Sequence, residues 1–105
     1  MRRSYFVPVL VFVVLAARGA SGHSPICECY DNKDDATVTC EGGFSDGTSA
    51  EGASIRVVDV RERVLVDGKM DKKGTFTFKR PDQEFRVVFT PDSSHVVTIL
   101  SEDIE

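Results

Sequence analysis

The side chains best suited to chemistry lie close together near the start of the chain. Cys27 and Cys29 are separated by a single glutamate, and Cys40 lies a short distance further along. With His23, one imidazole and three sulfur atoms fall within the segment 23–40. Thiolates and imidazoles are the ligands that proteins use for zinc and copper(I). The spacing therefore makes a closed transition-metal site one interpretation of this segment.

The same cysteines also predict a disulfide. Residues two apart on a strand share a face, so a hairpin turn at 31–35 would bring Cys40 beside Cys27 or Cys29. The pairings Cys29–Cys40 and Cys27–Cys40 both stay open, and either one would form in an oxidising compartment. Each leaves one thiol over, which makes an intermolecular disulfide the third alternative.

Residues 1–22 have the three-part pattern of a secretory signal peptide. Arg2 and Arg3 precede an apolar run at 6–17, and the small residues of 20–22 follow it. The run is shorter than the roughly 20 residues that span a bilayer. We therefore expect cleavage after residue 22, no stable membrane insertion afterwards, and a periplasmic or secreted protein. The general secretory route is favoured, with twin-arginine export as the alternative.

Cleavage there would make His23 the first residue of the mature chain. Its α-amine and imidazole Nδ1 would then chelate a divalent transition metal such as nickel, copper, zinc or cobalt. The alternative is a frayed terminus without a ligand role. His95 is the natural second imidazole if the loop at 91–95 approaches the N-terminus, and otherwise a solvated surface residue. The candidate metal ligands are thus His23, Cys27, Cys29, Cys40 and His95.

Charge and motifs exclude several classes of protein. The segment 1–22 carries three of the 13 basic residues and none of the 17 acidic ones, so residues 23–105 have a net charge of −7. Such a domain has no electrostatic footprint for nucleic acid and a poor one for anionic membranes. The segment 23–105 is long enough for one domain. The motifs G-x-S-x-G, P-loop and H-E-x-x-H are absent, which favours a protein that is not an enzyme.

Apolar and polar residues alternate with a period of two through residues 23–105, and no long helical stripe interrupts them. Seven strands are predicted, at 26–30, 36–42, 53–60, 63–67, 75–79, 84–90 and 95–100. Turn residues, among them Asp67-Gly68, separate the strands. The pattern predicts an all-β antiparallel sandwich. Its predicted inward stripe consists of Phe76, Phe78, Phe85, Val87 and Phe89.

Several of these residues also carry a family resemblance. Gly43 opens the first unit, and Gly52-Ala53 enters the next strand. The family's D-x-x-G-x-F-x-F step is matched by Asp71, Gly74, Phe76 and Phe78. Pro81 precedes the strand EFRVVF. On these residues the chain resembles the carboxypeptidase regulatory-like domain, a transthyretin-like β-sandwich, over roughly residues 40–100. The resemblance implies the fold and is nearly silent about function.

A narrower resemblance bears on function. Small secreted versions with a mature N-terminal His and a His in the last loop are similar to periplasmic accessory components of nickel and cobalt uptake systems. The matching positions are His23 and His95. The first functional hypothesis is therefore a non-catalytic metal-binding or metal-delivery protein. The alternative is a structural or protein-interaction module with a disulfide-stapled N-terminal hairpin and no metal. Such a module would add a strand from an envelope partner to an exposed sheet edge.

Overall fold

The computed structural model describes residues 23–105, so the predicted signal peptide at 1–22 lies outside the described residues. Seven strands and one short 3-10 helix follow in order: β1 (Pro25–Asn32), β2 (Thr37–Phe44), β3 (Ser54–Asp59), β4 (Val64–Lys69), β5 (Thr75–Lys79), β6 (Phe85–Asp92), β7 (His95–Leu100) and η1 (Ser101–Asp103). All seven predicted strands are confirmed. Within the described range there is no helix of the length and apolar character that a bilayer crossing requires.

The strands form two antiparallel sheets that pack against each other. One sheet has three strands in the order β1-β2-β5, and the other has four in the order β4-β3-β6-β7. β1 and β7 are edge strands of different sheets and lie beside each other along one side of the sandwich. The predicted all-β, antiparallel, seven-strand architecture is confirmed.

The core consists of inward side chains from both sheets. Phe78, Phe85, Val87 and Phe89 are buried, and Phe76 packs against them while partly exposed. The rings of Phe78 on β5 and Phe85 on β6 meet edge to face, with their centroids 6.0 Å apart. This contact joins the two sheets, and the predicted inward stripe is confirmed.

One predicted turn is wrong. Asp67 and Gly68 lie inside β4, where Gly68 pairs with Ile55 of β3. A Cβ atom on Gly68 would clash with the Phe76 ring. The glycine therefore gives room to an aromatic ring from the opposite sheet. A sequence does not show which Asp-Gly pair turns the chain and which one faces a ring.

Aspartate carboxylates organise four of the turns. Each accepts the backbone N–H of the residue two positions later: Asp46 from Thr48, Asp59 from Arg61, Asp71 from Lys73 and Asp92 from Ser94. Hydrogen bonds donated to these carboxylates favour the ionised form and lower the pKa of all four groups. The pKa of Asp92 falls to about 2, chiefly through the Ser94 backbone N–H.

These lowered pKa values predict loss of stability in acid. A carboxyl group whose pKa is lower in the folded state stabilises the fold above its unfolded pKa, and that contribution is lost as the pH falls through the folded pKa. We expect the urea midpoint to stay level above about pH 5 and to fall between about pH 4 and pH 2. Asp71→Asn should make the fall shallower. Asp82→Asn, which removes an exposed carboxylate without a hydrogen bond in the described residues, should not. A midpoint constant down to pH 2 would contradict this account.

Candidate functional site

The β1–β2 hairpin positions all three cysteines. A turn at 33–36 closes it, and the Asn32 side chain donates hydrogen bonds to the hydroxyls of Thr37 and Thr39 across the hairpin. This register puts Cys29 directly opposite Cys40, and the two form a disulfide with their Cα atoms 4.0 Å apart. Of the two predicted pairings, the structure contains Cys29–Cys40, which leaves Cys27 as the odd thiol.

Cys27 is a buried thiol on the inner face of β1. It lies opposite Gly42 and is only 9% exposed. Burial, with a smaller contribution from the Glu28 carboxylate, raises the pKa of the Cys27 thiol to about 12. The thiolate is the form that binds metals and attacks electrophiles. Without a metal, Cys27 is therefore a poor nucleophile at neutral pH, and a metal could bind it only by displacing the thiol proton.

This environment predicts slow alkylation of Cys27. With a pKa near 12, fewer than about one molecule in a thousand carries the thiolate at pH 8. In the folded, unreduced protein we expect no label from iodoacetamide within an hour, and one label per chain once urea is added. Intact mass spectrometry measures both states. Rapid single labelling of the folded protein would show that Cys27 is accessible.

His23 lies against the end of β2. Its ring stacks on Phe44 with the centroids 4.5 Å apart, and its Nδ1 is 3.0 Å from Asp46 Oδ2. The chelate predicted for a terminal His23 uses this same nitrogen. A metal bound there would have to replace the Asp46 hydrogen bond or take Asp46 as a further ligand.

His95 begins β7 and makes a similar pair. Its Nδ1 is 2.9 Å from Asp92 Oδ1, within the β6–β7 turn. Among residues 23–105 there is no group of three or more His, Cys, Asp or Glu side chains placed to hold a metal ion. The five candidate ligands are thus divided between one disulfide, one buried thiol and two His–Asp pairs.

A hollow lies along the side of the sandwich where β1 passes β7. Its volume is about 370 Å³, and it is lined by Cys27, Glu28, Cys29, Tyr30, Ile99 and Asp103. We call it the seam groove. It contains two of the predicted site residues, Cys27 and the disulfide-bonded Cys29, together with two carboxylates.

The C-terminal residues are anchored to β1, the strand that lines the seam groove, which the sequence did not predict. Ile104 is buried in the core, and the backbone oxygen of Glu105 accepts a hydrogen bond from the Asp31 backbone N–H at 3.1 Å. Arg80 also ties the C-terminal residues to β1, because its guanidinium donates to the Asp31 carboxylate at 2.9 Å and to the Ser101 carbonyl. The one sequence signal was Ile104, a single apolar residue in an acidic stretch.

Comparison with models of known families, with curated proteins and with solved structures found no match to this chain. The resemblance to the carboxypeptidase regulatory-like domain therefore stays a prediction carried by residues 40–100. The chemistry of the hairpin and of the seam groove is the remaining basis for assigning a function.

Proposed function

We propose that this chain is a non-catalytic protein-interaction module of the transthyretin-like, carboxypeptidase regulatory-like kind. After signal-peptide cleavage it acts in the periplasm or outside the cell, where the disulfide-stapled hairpin presents a sheet edge to a partner protein. The single observation that carries this proposal is the state of the cysteines. Cys29 and Cys40 are joined, and Cys27 is buried with a pKa near 12. A thiol in a disulfide does not bind a metal as a thiolate.

The sheet edges support the interaction role. The unpaired backbone groups of an edge strand can accept a strand from another protein, and natural proteins protect edges that are not used in this way. Apolar side chains are exposed along the edge strand of the hairpin, with Ile26 47% exposed and Tyr30 40% exposed on β1. The net charge of −7 for residues 23–105 favours a basic partner.

Metal delivery is the second candidate, and His23 is the observation that favours it. Its imidazole is exposed and lies beside the Asp46 carboxylate. With the α-amine of a mature terminus, these groups would supply three donors for nickel, copper, zinc or cobalt without a thiolate. His95 would join only if its loop approached that terminus.

Native mass spectrometry of the protein from its export compartment, without reductant or chelator, separates the two candidates. The interaction module predicts a chain that begins at His23, is two daltons lighter than its fully reduced mass, and has no metal adduct. A metal adduct that disappears in His23→Ala and persists in His95→Ala would favour metal delivery. Reduced cysteines with bound metal would overturn the proposed function.

Site-specific photo-crosslinking tests the interaction itself. A benzophenone amino acid at Glu28 on β1 or at Leu65 on β4 would be irradiated in intact cells, with exposed Glu51 in the 50–53 loop as the matched control. We expect an adduct of discrete mass from at least one strand position and none from Glu51. The absence of adducts from both strand positions would overturn the interaction module.

A further inference from the structure

The open side of β1 presents unused backbone groups to the seam groove. In an antiparallel pair of strands, residues that exchange backbone hydrogen bonds alternate with residues whose N–H and C=O groups point away from the partner strand. Pairs of the second kind have the shorter distance between Cα atoms. Cys29 and Cys40 are of the second kind, because their Cα atoms are 4.0 Å apart. The backbone of Cys29, and that of Cys27 two residues earlier, therefore points away from β2.

Two hydrogen bonds support this direction independently. Gly42, opposite Cys27, donates its N–H to Gly74 on the far side of β2. Asp31, two residues beyond Cys29, donates its N–H outward to Glu105. Among the described residues, β1 pairs only with β2, and the N–H groups of Cys27 and Cys29 point away from β2, so neither has a backbone acceptor. At one end of the β1 edge, the Asp31 N–H thus makes a strand-like hydrogen bond to Glu105. The next two outward-facing N–H groups, those of Cys29 and Cys27, have no backbone partner among the described residues.

Two of the three other edge strands, β4 and β5, are less suited to a partner strand. On β4, the pairing with β3 shifts register beside Val57 and Val58, and bulges of this kind protect edges from pairing. β5 is a short strand, Thr75–Lys79. Beside β1, by contrast, the seam groove leaves about 370 Å³ of open volume along the strand.

The walls of the seam groove indicate the chemistry of its occupant. Ile99, the Cys27 thiol and the disulfide make its inner side apolar, and Tyr30, 40% exposed, also lines it. Glu28 and Asp103 line the groove and are exposed, and among residues 23–105 no basic side chain lines it. Arg80 is already bonded to Asp31, the residue that follows Tyr30 on β1. Side chains alternate along a strand, so an occupant with apolar and basic residues in alternation satisfies both sides.

We propose that the seam groove binds an extended segment of a partner protein in which basic and apolar residues alternate. The segment continues the strand pairing that Glu105 begins at Asp31, and hydrogen-bonds to the backbone of Cys27 and Cys29. Its apolar side chains face Ile99, and its basic side chains face Glu28 and Asp103. This inference rests on the proposed function and specifies the edge and the partner's chemistry.

A synthetic peptide tests the proposal with the oxidised protein. The probe is acetyl-Lys-Val-Lys-Val-Lys-Val-Lys-amide, followed by NMR titration and amide hydrogen exchange. At saturation we expect exchange at the Cys27 and Cys29 amides to slow at least about tenfold, because each gains a hydrogen-bond acceptor. Unchanged exchange at both amides, or no binding, would overturn the proposal.

Two sets of controls separate strand pairing from charge attraction. One peptide is N-methylated at every Val and another at every Lys; strand pairing predicts that only one of them loses binding, because alternate N–H groups face β1. Glu28→Gln with Asp103→Asn should weaken binding about threefold to tenfold. Glu51→Gln with Asp82→Asn removes the same charge elsewhere and should change the affinity less than twofold. Equal binding of both methylated peptides, or equal effects of the two double variants, would contradict the seam groove.

The outcomes distinguish this inference from the proposed function. Peptide protection of Leu65 and Asp67 on β4, in place of Cys27 and Cys29, would overturn the seam groove and leave an interaction module that uses the other edge. Photo-crosslinks from Leu65 but not from Glu28 would lead to the same conclusion. If neither Glu28 nor Leu65 gave a photo-crosslink, both the proposed interaction function and the proposed binding role of the seam groove would be overturned.

Discussion

Replacing Cys29 and Cys40 together by alanine is expected to lower the free energy of unfolding by about 3 kcal/mol. The disulfide closes a loop with a sequence separation of 11, and constraining a loop of that size in the unfolded chain is worth about 3 kcal/mol. A domain of the length of 23–105 has a total stability of only about 4–12 kcal/mol. Urea denaturation of the oxidised protein and of the double variant measures the difference.

Cys27→Ala is the matched control for that experiment. It removes a buried sulfur from the same strand without touching the disulfide, and should cost about 1 kcal/mol. Because the hairpin carries the edge that faces the seam groove, the disulfide variant should also bind the basic peptide more weakly than Cys27→Ala does. Equal losses of stability in the two variants would mean that the disulfide does not constrain the unfolded chain.

The chemistry-bearing residues were only partly predictable from the sequence. Spacing showed that Cys27, Cys29 and Cys40 would meet on one hairpin, but two pairings fitted equally well. The choice between them depends on register, and a shift of one residue along a strand turns every side chain to the other face. Here the hydrogen bonds of Asn32 with Thr37 and Thr39 favour the register that places Cys29 opposite Cys40.

The sequence could not predict distances between residues on different strands and loops. His23 and His95 were candidate partners for one metal, yet each imidazole hydrogen-bonds to an aspartate of a neighbouring turn, Asp46 or Asp92. These turns form locally, since each aspartate also caps the backbone two residues later. Alternation along the chain predicts strands because it is a local property. The groove beside β1 arises from the order of strands in two sheets, which alternation does not encode.

The core was the most predictable part, and Phe89 gives the largest effect expected from a single substitution. It is fully buried on β6, and its ring lies so close to β2 that a Cβ on Gly42 would be 2.9 Å from its Cζ atom. Phe89 therefore bridges the two sheets beneath the hairpin. Phe89→Ala would leave a cavity there and should lower the free energy of unfolding by about 3–5 kcal/mol.

Val88→Ala is the matched control, because Val88 is the adjacent residue of β6, faces outward and is only partly buried. Its cost should stay below about 1 kcal/mol. The two variants should show the same dependence of stability on urea concentration, since both expose the same surface on unfolding.

A loss below about 1.5 kcal/mol for Phe89→Ala would mean that the sheets move together to fill the cavity. β1 would then shift against β7, and the volume of the seam groove and its affinity for the basic peptide would change with it. A full loss with unchanged peptide affinity would instead show that the groove depends on the edges of the sheets and not on the centre of the core.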